Sequence, residues 1–235
     1  ISLGRPVALK LLQPEFESNS TAVAKFKLEA SAVNELRHKN ISQLYDSGES
    51  NGHHYLAREL VDGNHIGKKV GKRRGIPESS ALFTIANIAD ALEHAWDRSE
   101  LVHANLKPEN VLIENTGLVK LVDFSGLTSE SSATLIHALA GIEIGHPSYT
   151  APELLDGDRA IDFRADLYSL GAIFYYLLTG RQPFNDIPIN QRRSAHRSEF
   201  LPHPRDLKKN CSQASSVLLQ KMMIKNVEGR YSSWA

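Results

Sequence analysis

The sequence predicts an α+β fold in two lobes, a small β-rich lobe over 1–61 and a larger, mainly helical lobe over 62–235. Three observations predict it. Residues before Asp62 fall into short β-type runs broken by a single amphipathic segment. Residues after Gly63 are dominated by long segments with apolar positions at helical spacing. The change in character is abrupt and falls at Asp62-Gly63, which places a hinge near Glu59–Gly63.

In chain order, Pro6–Leu12 is a β-type run in which Lys10 interrupts apolar positions. Thr21–Leu36 spaces Val23, Phe26, Ala30, Val33 and Leu36 as one helical stripe, with Glu29 beside it. Strands are expected at Ile41–Tyr45 and His54–Leu60, joined by a hairpin turn at Ser50-Asn51-Gly52. The glycines at 63, 67, 71 and 75, with the basic run Lys68–Arg74 among them, read as a solvated loop. Helices are expected at Ser79–Asp97, Asp166–Thr179 and Ser212–Ile224, with a short hairpin of Val111–Ile113 and Val119–Val122 around Asn115-Thr116-Gly117. A further helix is expected to begin at Trp234.

Composition excludes several classes. Lys+Arg and Asp+Glu both number 27, so no global field draws the chain to nucleic acid or to an anionic membrane. The longest apolar stretch, Tyr168–Leu178, is too short to span a bilayer, and no signal peptide opens the chain. The single Cys211 excludes an internal disulfide and suits a reducing, cytoplasmic setting, either free or as the cytoplasmic part of a membrane-anchored protein. The ten histidines lack metal-type spacing, so no zinc site is expected.

The motifs carry a resemblance that spacing alone could not supply. VALK at Val7–Lys10, Glu29, LKPEN at Leu106–Asn110, Asp123-Phe124 and APE at Ala151–Glu153 occur in that order, followed by Asp166–Gly171 and Glu228–Tyr231. The chain resembles a eukaryotic-type protein kinase domain, closest to bacterial Ser/Thr kinases. The resemblance implies the bilobal kinase fold, with the glycine-rich phosphate loop and the first strands expected upstream of Ile1. It implies ATP and Mg2+ as cofactors and a protein as substrate or partner. Lys10 and Glu29 would pair and hold phosphates; Ala8 and Leu112 would sandwich adenine beside the hinge residues Glu59 and Val61; Asn110 and Asp123 would ligate magnesium; Lys107 would steady the transferring phosphate. Val33, Leu44, His103 and Phe124 would stack between the lobes, anchored by Asp166. Glu153 and Arg230 would form a buried ion pair.

Five positions depart from the family pattern. Asn105 stands where the resemblance places the catalytic aspartate, and a carboxamide cannot take a proton as a carboxylate does. Ala104 replaces the arginine that senses a phosphorylated activation loop. Ser125 stands at a position usually held by glycine, before Gly126, and is expected to alter how Asp123 is held. His146 replaces a threonine. Arg58 occupies the gatekeeper position, where a guanidinium needs a carboxylate, and Glu29 and Asp123 are the candidates. Together these changes point to a pseudokinase acting as a regulatory or binding module, the alternative being a weakly active Ser/Thr kinase.

Overall fold

The computed structural model describes residues 4–70, 74–129, 145–156 and 161–234. Gly71, Lys72 and Arg73 of the basic run and Ala235 lie outside the described residues.

The N-terminal lobe is a three-stranded antiparallel sheet with one helix against it. Strands β1 (Val7–Leu11), β2 (Leu44–Ser50) and β3 (His53–Glu59) lie in the order β1-β3-β2. The β2–β3 hairpin turns at Asn51 and Gly52, with φ of 52° and 81°. Positive φ at both central residues suits a tight hairpin, and an Asn-Gly pair accepts it at low steric cost. Strand β2 begins three residues after the start of the expected Ile41–Tyr45 and ends five after its end. Its outer half, Ser47–Ser50, is exposed and polar, so it is held by ladder pairing with β3 and not by alternation. Ile41 instead bridges in parallel to Leu121 of the other lobe.

Helix α1 (Ser20–Val33) is capped by Asn19, whose side-chain oxygen accepts from the amides of Thr21 and Ala22. It buries Ala22, Phe26, Glu29 and Ala30. Phe26 and Ala30 form a small apolar cluster with Leu44 and Leu56 of the sheet.

The second lobe is built on α2 (Glu78–Ser99) and α4 (Phe163–Thr179). Nearly every residue of α4 is buried, which is why its sequence is apolar around the whole circumference. Asp162 caps its start and Gly180, at φ 70°, ends it. The one-turn helices α3 (Glu153–Asp156) and α6 (Pro204–Leu207) and the ten-residue helices α5 (Ile189–Ser198) and α7 (Gln213–Met222) complete the lobe. Tyr231–Trp234 is not helical; the Trp234 ring packs beside Phe163 at 5.7 Å.

Short strands line the inter-lobe face. β4 (Gly63–His65), β6 (Val111–Glu114) and β7 (Val119–Leu121) form one antiparallel sheet, and β5 (Leu101–Val102) pairs with β8 (Leu127–Thr128). Gly63 and Gly67 therefore belong to a strand and to a helical turn at Ile66–Lys68, not to a loose loop. The reason is steric at Gly63, where a Cβ would sit 2.1 Å from the Ile113 carbonyl oxygen. Among the described residues no helix is long and apolar enough to cross a membrane.

Candidate functional site at the lobe interface

Strand register brings the site together from the sheet side. Ala8 pairs with Arg58 and Lys10 with Leu56. Directly opposed residues in an antiparallel pair share a face, as do residues two apart along one strand. Ala8, Lys10 and Arg58 therefore project from the same face of the sheet.

Four charges converge there. The Lys10 ammonium lies 2.9 and 2.8 Å from the two Glu29 oxygens and 3.3 Å from Asp123 Oδ1. The Arg58 guanidinium forks across the same two acids, Nη2 donating to Glu29 Oε1 at 2.7 Å and Nη1 to Asp123 Oδ1 at 2.7 Å. Arg58 thus takes both of the carboxylates the sequence offered it, not one. Its side chain is 12% exposed, and the residual cavity between α1, β2 and the Asp123 loop is about 10 Å³, room for no more than one water. Burial pushes the Asp123 carboxyl up, but Lys10 and Arg58 outweigh it and hold the group below its ordinary value.

Asp123 sits in the loop between β7 and β8 with φ of 60°. Gly126, at φ 81°, lets that loop pass within contact of α1, where a Cβ would meet the Leu28 backbone at 2.8 Å. Ser125 is not at positive φ; the positive angles fall on Asp123 and Gly126, and only at Asp123 is one strained. Ser125 is held by its amide, which donates to the His103 carbonyl at 2.9 Å, and by its hydroxyl, which accepts from Leu127 N.

His103 and Phe124 stack at 4.3 Å between ring centroids, and Phe124 lines the same small cavity as Val33 and Leu44. Asp166 accepts the amides of His103 and Ala104 at 2.6 and 2.9 Å. Burial pushes Asp166 up to about 7 against those two donors, and it pushes His103 down to about 4. Ala104 has φ of 53°. Asn105 follows, its Nδ2 3.4 Å from the Asp123 carbonyl oxygen and its own carbonyl accepting from Asn110 Nδ2 at 2.9 Å. Lys107, half-buried, leads into the helical turn Pro108–Asn110. His146 is tied into its own loop, its Nδ1 accepting from Ser148 N and its carbonyl from the Thr150 hydroxyl.

The expected base-sandwiching residues lie on opposite sides of the interface. Ala8 is in β1 and Leu112 in β6, and both are half-buried, not core. Val61 lies in the link between β3 and β4. Glu59 does more than form a hinge: its carboxylate meets Lys120 of β7 at 2.8 Å and accepts from Gln43 N. Sequence reasoning missed Lys120, although a lysine inside the apolar run Val119–Val122 is the same signal that singled out Lys10. Arg230 and Glu153 form a buried bidentate pair at 2.5 and 2.9 Å, with further Arg230 bonds to the carbonyls of Ile224, Arg164 and Lys225.

Asn110 and Asp123 do not fit a magnesium ion as they stand. Magnesium demands near-octahedral oxygen ligands. Asn110 brings a single amide oxygen, and Asp123 Oδ1 already bears a guanidinium and an ammonium. A dication drawn to the remaining Asp123 oxygen would meet two fixed cations beside it. Among the described residues no group of three or more His, Cys, Asp or Glu side chains is arranged to hold a metal ion.

Comparison with known proteins agrees with this architecture. The family model for the protein kinase domain matches residues 2–235. The chain is 35% identical to the serine/threonine-protein kinase Pkn1 of Myxococcus xanthus, aligning over 100% of this chain and 34% of that protein. It is 29% identical to the serine/threonine-protein kinase PrkC of Bacillus subtilis, over 99% of this chain and 35% of that protein. The chain thus spans about a third of the length of these curated relatives. The crystal structure of the Mycobacterium tuberculosis PknI kinase domain superposes with a TM-score of 0.73 at 24% identity, covering 99% of this chain and 83% of that one, a likeness of fold. Proteins of this family generally use ATP and magnesium. Its motifs, its two lobes and its match from end to end place this chain in the protein kinase domain family.

Proposed function

We propose that this domain is a pseudokinase, a kinase-fold module that binds a protein partner in a regulatory role and does not transfer phosphate at kinase rates. The observation that carries the reading is the fork of Arg58 across Glu29 and Asp123. It places a fixed cation on the acid that the family pattern assigns to magnesium. Asn105 adds to it. On the same pattern Asn105 takes the place of the catalytic base, a loss that typically costs about 10²–10⁴-fold. Set against kinase turnovers of roughly 1–100 s⁻¹, that loss alone would leave slow transfer. Arg58 on the metal-site acid removes much of what remains, because phosphoryl transfer depends more on metal and positioning than on proton removal. The resemblance to bacterial Ser/Thr kinases and the lone cysteine support a cytoplasmic site of action.

A second reading, a weakly active Ser/Thr kinase, is favoured by the intact Lys10–Glu29 pair and the His103–Phe124 stack. One experiment separates the two. The full-length protein is incubated with γ-labelled ATP and magnesium or manganese, alongside an Asp123→Ala control. The pseudokinase reading expects equal, background incorporation in both. Incorporation that disappears in the control would overturn it and establish the weak kinase.

A further inference from the structure

We propose that Arg58 stands in for a divalent cation on Asp123, so that the cleft takes a nucleoside diphosphate or triphosphate without a metal ion. The inference deepens the pseudokinase reading by naming the ligand class of the same site. It starts from charge balance. Lys10 and Arg58 are cationic, Glu29 and Asp123 anionic, and all four lie within 3.3 Å of an opposite partner. With an uncharged side chain at position 58 the same cluster would carry one net negative charge and would attract a cation. With Arg58 it is neutral, and its cation is built in.

Geometry supports the substitution. Both forked guanidinium bonds are 2.7 Å, short enough to be charge-assisted, and Arg58 is enclosed in a space that leaves about 10 Å³ beside it. The guanidinium therefore fixes Asp123 relative to α1 and sets a permanent positive charge on the carboxylate. Lys10 keeps 38% of its side-chain exposure while its ammonium is shared between Glu29 and Asp123, so an anionic ligand on the sheet face it shares with Ala8 reaches that ammonium by taking the place of its long 3.3 Å bond to Asp123. A metal-free polyphosphate is more anionic than its magnesium complex. Removing one negative charge from the site favours the metal-free form, and retaining a fixed cation on Asp123 disfavours the magnesium complex.

The test is calorimetric titration of the full-length protein with ADP, which cannot donate a γ-phosphate, in excess magnesium and in EDTA. Wild type is expected to bind ADP in both, with Kd values within about threefold of each other. Arg58→Met is expected to bind at least tenfold more tightly with magnesium than without. Arg58→Lys, which keeps the charge but cannot fork across two acids, guards against a misfolded methionine variant and is expected to fall between the two. A wild-type Kd that weakens tenfold or more in EDTA overturns the proposal. So does an Arg58→Met ratio equal to that of wild type, or the absence of ADP binding in both conditions. Failure here and failure of the pseudokinase reading are separable. Magnesium-dependent ADP binding with no phosphate transfer would end this proposal alone, and transfer by a protein whose ADP affinity ignores magnesium would end the other alone.

Discussion

Asn105 shows why one exchanged side chain does not by itself decide activity. Its amide faces the Asp123 carbonyl oxygen at 3.4 Å, and its own carbonyl holds Asn110. Replacing it with aspartate would set a carboxylate against that carbonyl oxygen and would leave Arg58 on Asp123 untouched. Asn105→Asp alone is therefore expected to leave γ-phosphate incorporation at background. Combined with Arg58→Met, which frees Asp123, it should give incorporation at least tenfold above either single variant. That non-additivity is the signature of two residues acting on one centre. A rise in the Asn105→Asp single variant equal to that of the double would show that Arg58 does not limit the site. The sequence made Arg58 conspicuous, since a guanidinium at a buried strand position needs an acid. It could not show that both acids would be reached at once, because Glu29 and Asp123 are 94 positions apart and only the packing of α1 on the Asp123 loop brings them together.

Two glycines separate what backbone conformation costs from what packing costs. Gly52 and Gly126 share a φ of 81°. An added Cβ at Gly52 meets nothing within 4 Å, whereas at Gly126 it meets the Leu28 backbone at 2.8 Å. Gly52→Ala should therefore cost about 1 kcal/mol, the strain of a left-handed alanine. Gly126→Ala should cost about 3 kcal/mol or more, because α1 must also retreat from the loop. Denaturant midpoints at constant slope would read both, and equal costs would mean that α1 does not rest on Gly126. Legibility followed the same division. The long helices and the turn at Asn51-Gly52 could be read from periodicity and local turn chemistry. Strand β2 was misplaced by three residues at its start and five at its end, and β4, β5 and β8 could not be anticipated. These strands are two or three residues long or polar, and they exist through partners distant in sequence, as in the Gly63–Glu114 and Leu101–Thr128 pairings.

At the scale of the whole molecule, buried titratable groups set how the fold responds to acid. Burial pushes His103 down to about 4 and His196 down to about 3, so both stay neutral in the folded protein at pH values where an unfolded chain, near 6.5, takes up a proton. A group with a depressed folded pKa gives stability that is full above its unfolded value and is lost as pH falls toward the folded one. His38, lowered by partial burial, acts in the same direction. Asp166 opposes them. Burial raises it to about 7, so between its unfolded value and 7 the folded state holds the extra proton and gains as pH falls. Two deeply buried histidines against one carboxyl leave about one net proton favouring the unfolded chain. Stability should therefore fall by about 2 kcal/mol between pH 6.5 and pH 5. Denaturant unfolding at the two pH values measures it directly. His196→Phe removes one histidine while keeping a ring between Tyr168 and Phe184, and it should flatten the profile across that window. If the wild-type protein is no less stable at pH 5 than at 6.5, Asp166 outweighs the histidines, and its carboxyl, not the imidazoles, governs the acid response of the fold.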